Sequence, residues 1–170
     1  SYDSPENLGL VTLDPSGGNP GVVGDDINIP DSAIIESMTV NVDLSHTWIG
    51  DVLLQLQHPN GVDFMNLWVN ECAGENDLDI TFDDTAGAIV CAEPTVGVYA
   101  PNGSLSTFNG LDAQGDWTLI IADFGPGDTG VLNDWSITIC SEQALNTEEF
   151  LVENFSIFPN PNDGEFTVKL

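Results

Sequence analysis

The sequence has almost no positive charge. Its 170 residues include 28 aspartates and glutamates but no arginine and a single lysine, Lys169, so the formal net charge is −27. Proteins that bind nucleic acid neutralise phosphates with lysine and arginine, and anionic membrane surfaces attract the same residues. No apolar run approaches the roughly 18 residues that indicate a membrane-spanning helix. We therefore expect no nucleic-acid partner and no membrane span.

The sequence also lacks the motifs of common hydrolases. It contains two histidines, His46 and His58, but neither Gly-x-Ser-x-Gly nor His-Glu-x-x-His. We expect His46 to be packed and hydrogen bonded, and His58, at a strand end before a turn, to be exposed. A pair of carboxylates for glycoside hydrolysis could be chosen from so many acids only arbitrarily. We therefore predict that this chain carries no catalytic residues.

Cysteine is scarce, and its three copies allow three single-disulfide pairings that each leave one thiol over. None of them has the spacing of a zinc site. Cys72 and Cys91 bracket the acidic stretch that ends at Asp84, which favours this pair and leaves Cys140 without a known partner. A disulfide would indicate an oxidising, extracellular location.

No segment before residue 141 shows a helical repeat of apolar residues. Period-two alternation occurs instead, as in Met38, Val40 and Val42 against Thr39 and Asn41, and this pattern indicates half-buried strands. Short strands separated by turns rich in Gly, Pro, Asn and Asp predict an all-β fold, an antiparallel sandwich or barrel. Residues 1–26 are rich in the same turn residues and predict an irregular lead-in.

Four segments, in order, resemble a known family. They are SHTWIGDVLLQL at 45–56 with HPNG at 58–61, TFDD at 81–84, YAP at 99–101 with LSTFNG at 105–110, and GDWTL at 115–119 with DTGVLNDWSI at 128–137. Together they resemble the P-domain (P/Homo B domain), which follows the catalytic domain in proprotein convertases and many bacterial secreted peptidases. The resemblance covers roughly residues 25 to 140 and implies an eight-stranded jelly-roll β-sandwich, placed here at 27–142.

This resemblance implies a function without catalysis. In the family, the module assists the folding, stability or substrate engagement of a peptidase catalytic domain, which we expect upstream in the same polypeptide. The location is then secreted or at the cell surface. The alternative from another class is a carbohydrate- or protein-binding surface module of a different secreted enzyme or adhesin. Trp48 and Trp68 are the candidate ligand platform for that alternative.

A second resemblance lies at the end of the chain. Residues 155–166, FSIFPNPNDGEF, are similar to the start of the C-terminal sorting domain that the type IX secretion system of Bacteroidetes uses. This implies a linker at 143–153, a truncated sorting domain at 154–170 and the secretion machinery as a partner.

Calcium is the cofactor that the resemblance and the acidity both indicate. Calcium takes six to eight oxygen ligands from carboxylates, backbone carbonyls and water. The first candidates are Asp51, Asp83 and Asp84, because adjacent carboxylates repel each other unless a cation or hydrogen-bond donors lie between them. Asp123 and Asp128, on either side of a Gly-Pro-Gly turn, are further candidates. The alternatives are that Asp51 caps local backbone donors and that the acids form a solvated surface.

Overall fold

The computed structural model describes residues 1–5 and 8–141, together with the backbone of two short strands at 156–158 and 167–169. The described chain consists of strands and two short 3-10 helices, Ile49–Asp51 and Leu105–Phe108. The strands are β1 (Tyr2–Asp3), β2 (Leu10–Val11), β3 (Gly21–Ile29), β4 (Ser37–His46), β5 (Val52–Gln57), β6 (Phe64–Val69), β7 (Leu78–Phe82), β8 (Thr95–Tyr99), β9 (Gly115–Asp123), β10 (Gly130–Cys140), β11 (Ser156–Phe158) and β12 (Thr167–Lys169).

Ten of these strands form two sheets. The six-stranded sheet has the order β1-β10-β4-β7-β8, with β2 also paired to β10, and the four-stranded sheet has the order β3-β9-β5-β6. The prediction of an all-β sandwich is confirmed. The jelly-roll connectivity is a finer statement, and it stays a prediction.

The core lies between the two sheets and is built by the predicted alternation. In β4, the buried positions Met38, Val40, Val42 and Leu44 alternate with partly or fully exposed polar ones. The largest fully buried side chains are Trp68, Trp117, Trp135, Phe82 and Phe108. Because each strand buries every second residue, a slip of one position would move its apolar set to solvent. The alternation therefore fixes the strand register.

Two strands depart from the pattern that the sequence indicates. β3 begins at Gly21, within the stretch predicted to be irregular, and its inward position 25 is occupied by Asp25. That carboxylate accepts a hydrogen bond of 2.8 Å from Trp135 Nε1, so a polar residue replaces an apolar one on the inner side. β8 runs parallel to β7, whereas the prediction was an antiparallel fold.

The tail lies largely outside the described residues. The predicted linker at 143–153 is entirely outside them, and of the predicted sorting segment only the backbones of β11 and β12 are described. These two strands pair antiparallel, with Ile157 opposite Val168.

Candidate functional site

The five predicted calcium ligands fall at the two opposite ends of the sandwich. Asp83 and Asp84 follow β7, whose last residue, Phe82, pairs with Val40 near the start of β4. The other three candidates lie at the opposite end of β4: Asp51 ends the 3-10 helix before β5, Asp123 is the last residue of β9, and Asp128 lies in the loop between β9 and β10. No ion could therefore bind all five residues at once.

Asp84 is held by donors from another loop. Its Oδ1 accepts the backbone N–H of Leu105 at 2.8 Å, and its Oδ2 accepts the N–H of Ser106 at 2.9 Å and the hydroxyl of Ser104 at 2.7 Å. These groups lie at the start of the 3-10 helix Leu105–Phe108. The first N–H groups of a helix have no partner within the helix. Asp84 thus caps this turn and ties the strand β7 to the loop that closes the sandwich.

Asp83 is satisfied locally. Its Oδ1 accepts both the backbone N–H and the hydroxyl of Thr85, each at 2.8 Å. The N–H bond of Thr85 is the main cause that holds the pKa of Asp83 below its usual value, and the Thr85 hydroxyl adds to it. Both adjacent carboxylates therefore accept hydrogen bonds, which is one of the two kinds of compensation expected for them.

Asp51, Asp123 and Asp128 surround the loop from Asp123 to Gly130. Asp51 accepts the N–H of Phe124 through its backbone carbonyl at 2.9 Å, and Asp128 Oδ1 accepts the Thr47 hydroxyl at 3.0 Å. The loop backbone passes directly beside the Asp51 carboxylate, because a Cβ atom on Gly125 would overlap this side chain in its present position. These contacts fix the loop against the segment that contains Trp48.

Asp123 is fully buried and faces His46, which is equally buried. His46 Nε2 and Asp123 Oδ2 lie 3.4 Å apart, and neither atom has a hydrogen bond in the structure. Asp123 Oδ1 accepts the N–H of Gly125 at 3.0 Å. The other ring nitrogen of His46, Nδ1, lies 3.2 Å from the N–H and 3.1 Å from the carbonyl of Trp48. His46 is packed as predicted, and its contact with Asp123 has no signal in the sequence because the two residues meet only through folding.

His58 is buried, so the prediction that it is exposed is wrong. Its Nε2 lies 2.9 Å from the backbone carbonyl of Asp112, and its Nδ1 accepts the N–H of Asn60 at 3.1 Å. Its ring packs edge-on against Trp117, with centroids 4.8 Å apart. The turn that follows β5 folds the imidazole back onto the core, which the turn motif alone did not reveal.

The two candidate platform tryptophans have different surroundings. Trp48 is 41% exposed, whereas Trp68 is fully buried and donates through Nε1 to the carbonyl of Ile49 at 3.0 Å. Trp68 therefore presents no face to a ligand, and its assignment as part of a platform is corrected. The pairing of β5 with β6 shifts by one residue between Leu54 and Gln55. Because of this shift, Trp68 lies opposite the inward-facing Leu54 and points into the core although the preceding Leu67 is buried too.

The predicted disulfide between Cys72 and Cys91 is confirmed. Its Cα atoms lie 5.2 Å apart and its sequence separation is 19. It links the loop after β6 to the segment before β8. Cys140, at the end of β10, is exposed and free within the part of the chain that the structure describes.

The described residues contain no group of three or more His, Cys, Asp and Glu side chains arranged to hold a metal ion. Within the same residues, no helix has the length and apolarity to cross a membrane.

These features define a β-sandwich module whose polar side chains stabilise loops. The family described as "Proprotein convertase P-domain" matches residues 35–139. Because this match covers more than half of the chain, the chain belongs to the proprotein convertase P-domain family.

Two curated relatives and one solved structure are similar to this chain. The calcium-dependent proteases of Trichormus variabilis and a Nostoc species are each 32% identical over 107 residues, which are 62% of this chain and 14% of the relative. The crystal structure of a serine protease of Aeromonas sobria aligns with a TM-score of 0.50 and 18% identity, over 82% of this chain and 27% of that one. At this identity the likeness shows the fold alone. The chain thus spans only a small part of each relative.

Proposed function

We propose that this P-domain is a non-catalytic accessory domain of a secreted peptidase. It assists the folding, stability or substrate engagement of a catalytic domain in the same polypeptide. The observation that carries the proposal is the family match over residues 35–139, combined with the small share, 14%, that the matched region makes up of the curated proteases.

The histidine environments support a role without chemistry. Both nitrogens of His46 and both nitrogens of His58 lie against backbone groups or the buried Asp123 carboxylate. General base catalysis requires a ring nitrogen within hydrogen-bond reach of the group that gives up its proton. In the described residues these nitrogens contact groups of the fold and not an open cleft.

The test compares the intact gene product with a form that lacks residues 1–141. Loss of an accessory domain should shorten the half-life of peptidase activity at elevated temperature several-fold, or prevent the formation of active enzyme. Equal yield, stability and substrate range in both forms would refute the proposal.

Secretion is part of the same proposal. A disulfide such as Cys72–Cys91 persists in oxidising compartments and is rare in the cytosol. We further propose that the tail from 154 onward is read by the type IX machinery. If so, removing residues 142–170 from the intact protein should leave it inside the cell, while a conservative change within β10 should not.

We further propose that the domain binds calcium at the end of the sandwich that carries Asp51 and Asp128. Asp84 accepts hydrogen bonds through both carboxylate oxygens. Asp51, Asp83, Asp123 and Asp128 each keep at least one carboxylate oxygen to which the described residues donate no hydrogen bond. Asp51, Asp123 and Asp128 lie at the same end of the sandwich. A site here would need backbone carbonyls and water for most of the six to eight ligands of calcium. An ion at 100 times its dissociation constant would stabilise the fold by about 2.7 kcal/mol. Equal melting temperatures in EGTA and in millimolar calcium, with no metal found by elemental analysis, would exclude it.

The exposed ring of Trp48 favours one alternative function, a binding module for carbohydrate or protein. This indole lies close to Gly50 and Gly74, since a Cβ atom on Gly50 would be 3.1 Å from its Nε1 and one on Gly74 3.8 Å from its Cη2, and exposed aromatic faces can stack on ligands. Glycan-array binding that is lost in Trp48→Ala, with an unchanged melting temperature, would support this alternative over the accessory role.

A further inference from the structure

The outer faces of the two sheets differ in chemistry. On the six-stranded sheet, the three central strands present hydroxyl, amide and carboxylate groups, namely Thr39, Asn41, Asp43, Ser45, Asp79, Thr81, Ser136 and Thr138. Such polar residues are usual on the solvent side of an antiparallel sheet. The four-stranded sheet follows this rule only in part, because apolar residues stand beside polar ones such as Gln55, Gln57 and Thr118 on its outer face.

An apolar row crosses the outer face of the four-stranded sheet. The strand registers place Ala122 opposite both Val22 and Leu53, and Leu53 opposite Val69. Ile120 lies in the next row, beside the hydrogen-bonded pair Gln55 and Asn66. We call Val22, Ala122, Leu53 and Val69 the apolar row, and Ile120 extends it into the next row. Val22, at the edge, is 49% exposed, and Ala122 is 7% exposed between its neighbours. Phe64, at the opposite corner of the face, is 56% exposed.

This face carries little charge although the whole chain has a net charge of −27. Among the outward positions of its four strands, the carboxylates are Asp26 and Asp116, both at the end of the face remote from Val22. Each accepts a hydrogen bond, from the Thr118 hydroxyl at 2.6 Å and from the Asn28 amide at 2.7 Å. Depletion of charge at the centre with charge at the rim is the composition of protein interfaces.

We propose that the outer face of β3, β9, β5 and β6 is the surface on which the peptidase catalytic domain docks. This inference rests on the proposed accessory function. The partner surface has an apolar centre that covers the apolar row and carries lysine or arginine near Asp26 and Asp116. A second copy of the chain is a poor occupant, because two domains of such high negative charge repel each other.

The size of the face agrees with contact between domains. Four strands about 4.8 Å apart and three outward rows about 7 Å apart give roughly 400 Å² on this side, or about 800 Å² counting both surfaces. Interfaces between domains of one chain bury about 600–1,500 Å², whereas obligate dimers bury about 2,000 Å² or more.

Covalent footprinting tests the surface without changing the sequence. In the intact peptidase, Val22 and Phe64 should be labelled at least about threefold more slowly than in the isolated chain. Val96 and Val98 are matched controls, because they are as exposed as Val22 but lie on the edge of the other sheet. Their labelling should not change. Equal labelling of Val22 in both proteins would overturn the inference.

Paired substitutions give the second readout. Val22 and Val98 are exposed valines on edge strands of different sheets, so aspartate at either site should leave the melting temperature of the isolated chain nearly unchanged. In the intact protein, Val22→Asp should shorten the half-life of peptidase activity several-fold, and Val98→Asp should change it less than twofold. Equal effects of the two variants would count against the face.

The same experiments distinguish other occupants of the face, and they separate failure of the docking surface from failure of the accessory function. Protection of Val22 in the isolated chain that disappears on truncation after Glu142 would assign the face to the tail. Protection that increases with concentration would assign it to a second copy, and either result overturns the inference. If deleting the whole domain impairs the peptidase but Val22 is never protected, only the docking surface is wrong. If the deletion has no effect, the accessory function fails as well.

Discussion

Asp84 offers a direct choice between a calcium ligand and a hydrogen-bond acceptor. Its carboxylate accepts bonds from Ser104, Leu105 and Ser106, which lie in a loop remote in sequence. Asp84→Ala removes all three bonds and leaves the N-terminus of the 3-10 helix Leu105–Phe108 without its acceptor. Asp79→Ala is the matched control, because Asp79 is an exposed aspartate near the other end of the same segment and accepts only a 3.4 Å bond from Asn41.

The expected cost follows from the type of contact. Removing a capping oxygen costs about 0.5–2 kcal/mol, and bonds to a charged acceptor lie at the upper end of the usual range. Since Ser104 and Ser106 are exposed, water replaces part of the loss. We expect Asp84→Ala to reduce the free energy of unfolding by about 2 kcal/mol. For a domain of this size that lowers the melting temperature by roughly 4–8 °C. Asp79→Ala should change the free energy by less than about 0.5 kcal/mol.

The assay is urea unfolding of each variant in EGTA and again in millimolar calcium. A hydrogen-bonded Asp84 predicts the same loss in both buffers. If Asp84 ligates calcium, the variant should differ from the wild type mainly when calcium is present. A loss confined to the calcium buffer, or no loss at all, would refute the capping role derived from the structure.

Three further predictions concern the disulfide, the buried pair His46 and Asp123, and the hydrogen-bonded Asp83. Replacing Cys72 and Cys91 together by alanine opens a loop of sequence separation 19 and should cost about 3 kcal/mol in the chain-entropy model; an unchanged urea midpoint would contradict this. His46→Ala leaves the buried Asp123 carboxylate without its facing imidazole and should cost about 3 kcal/mol, and the double variant with Asp123→Ala should lose less than the sum of the single losses in a mutant cycle. Because its pKa is lowered in the folded state, Asp83 contributes stability that is present above the unfolded pKa and is lost as the pH falls through the folded pKa. Asp83→Asn should therefore destabilise the protein at neutral pH and lose that effect in acid, and a pH-independent difference in unfolding free energy would argue against the Thr85 bonds as its cause.

The sequence predicted those strands that bury a complete alternate series of apolar residues. β4 and β5 are examples, since every inward position in them is buried and all of these are apolar except His46 at the end of β4. β8 escaped prediction because an edge strand needs no apolar inner series. Its Val96 and Val98 point outward, and Gly97 lies between them with a φ of +146°. β3 escaped for a related reason, since Asp25 occupies an inward position and is compensated by Trp135.

The outer apolar row has a weak signal in the sequence. In the stretch 52–57, Leu53 stands in the polar phase of the alternation beside Gln55 and Gln57. Ile120 stands in the polar phase of 117–121. An apolar residue in the outward phase of one strand is common and needs no explanation. Only the register, which places Leu53, Ala122 and Val22 side by side, turns scattered residues into a surface.

For Asp83 and Asp84, the sequence predicts that their charge is compensated but not by which group. Asp83 and Asp84 need either a cation or hydrogen-bond donors, because two adjacent carboxylates are costly without compensation. The sequence could not choose between the two solutions, since the donors to Asp84 belong to residues 104–106 and reach it only when the loop closes over β6. In the folded chain donors occupy that position. The acidity of this protein is thus compatible with either solution, and it makes the outer face of the four-stranded sheet, with only two carboxylates among its outward residues, stand out from the rest of the surface.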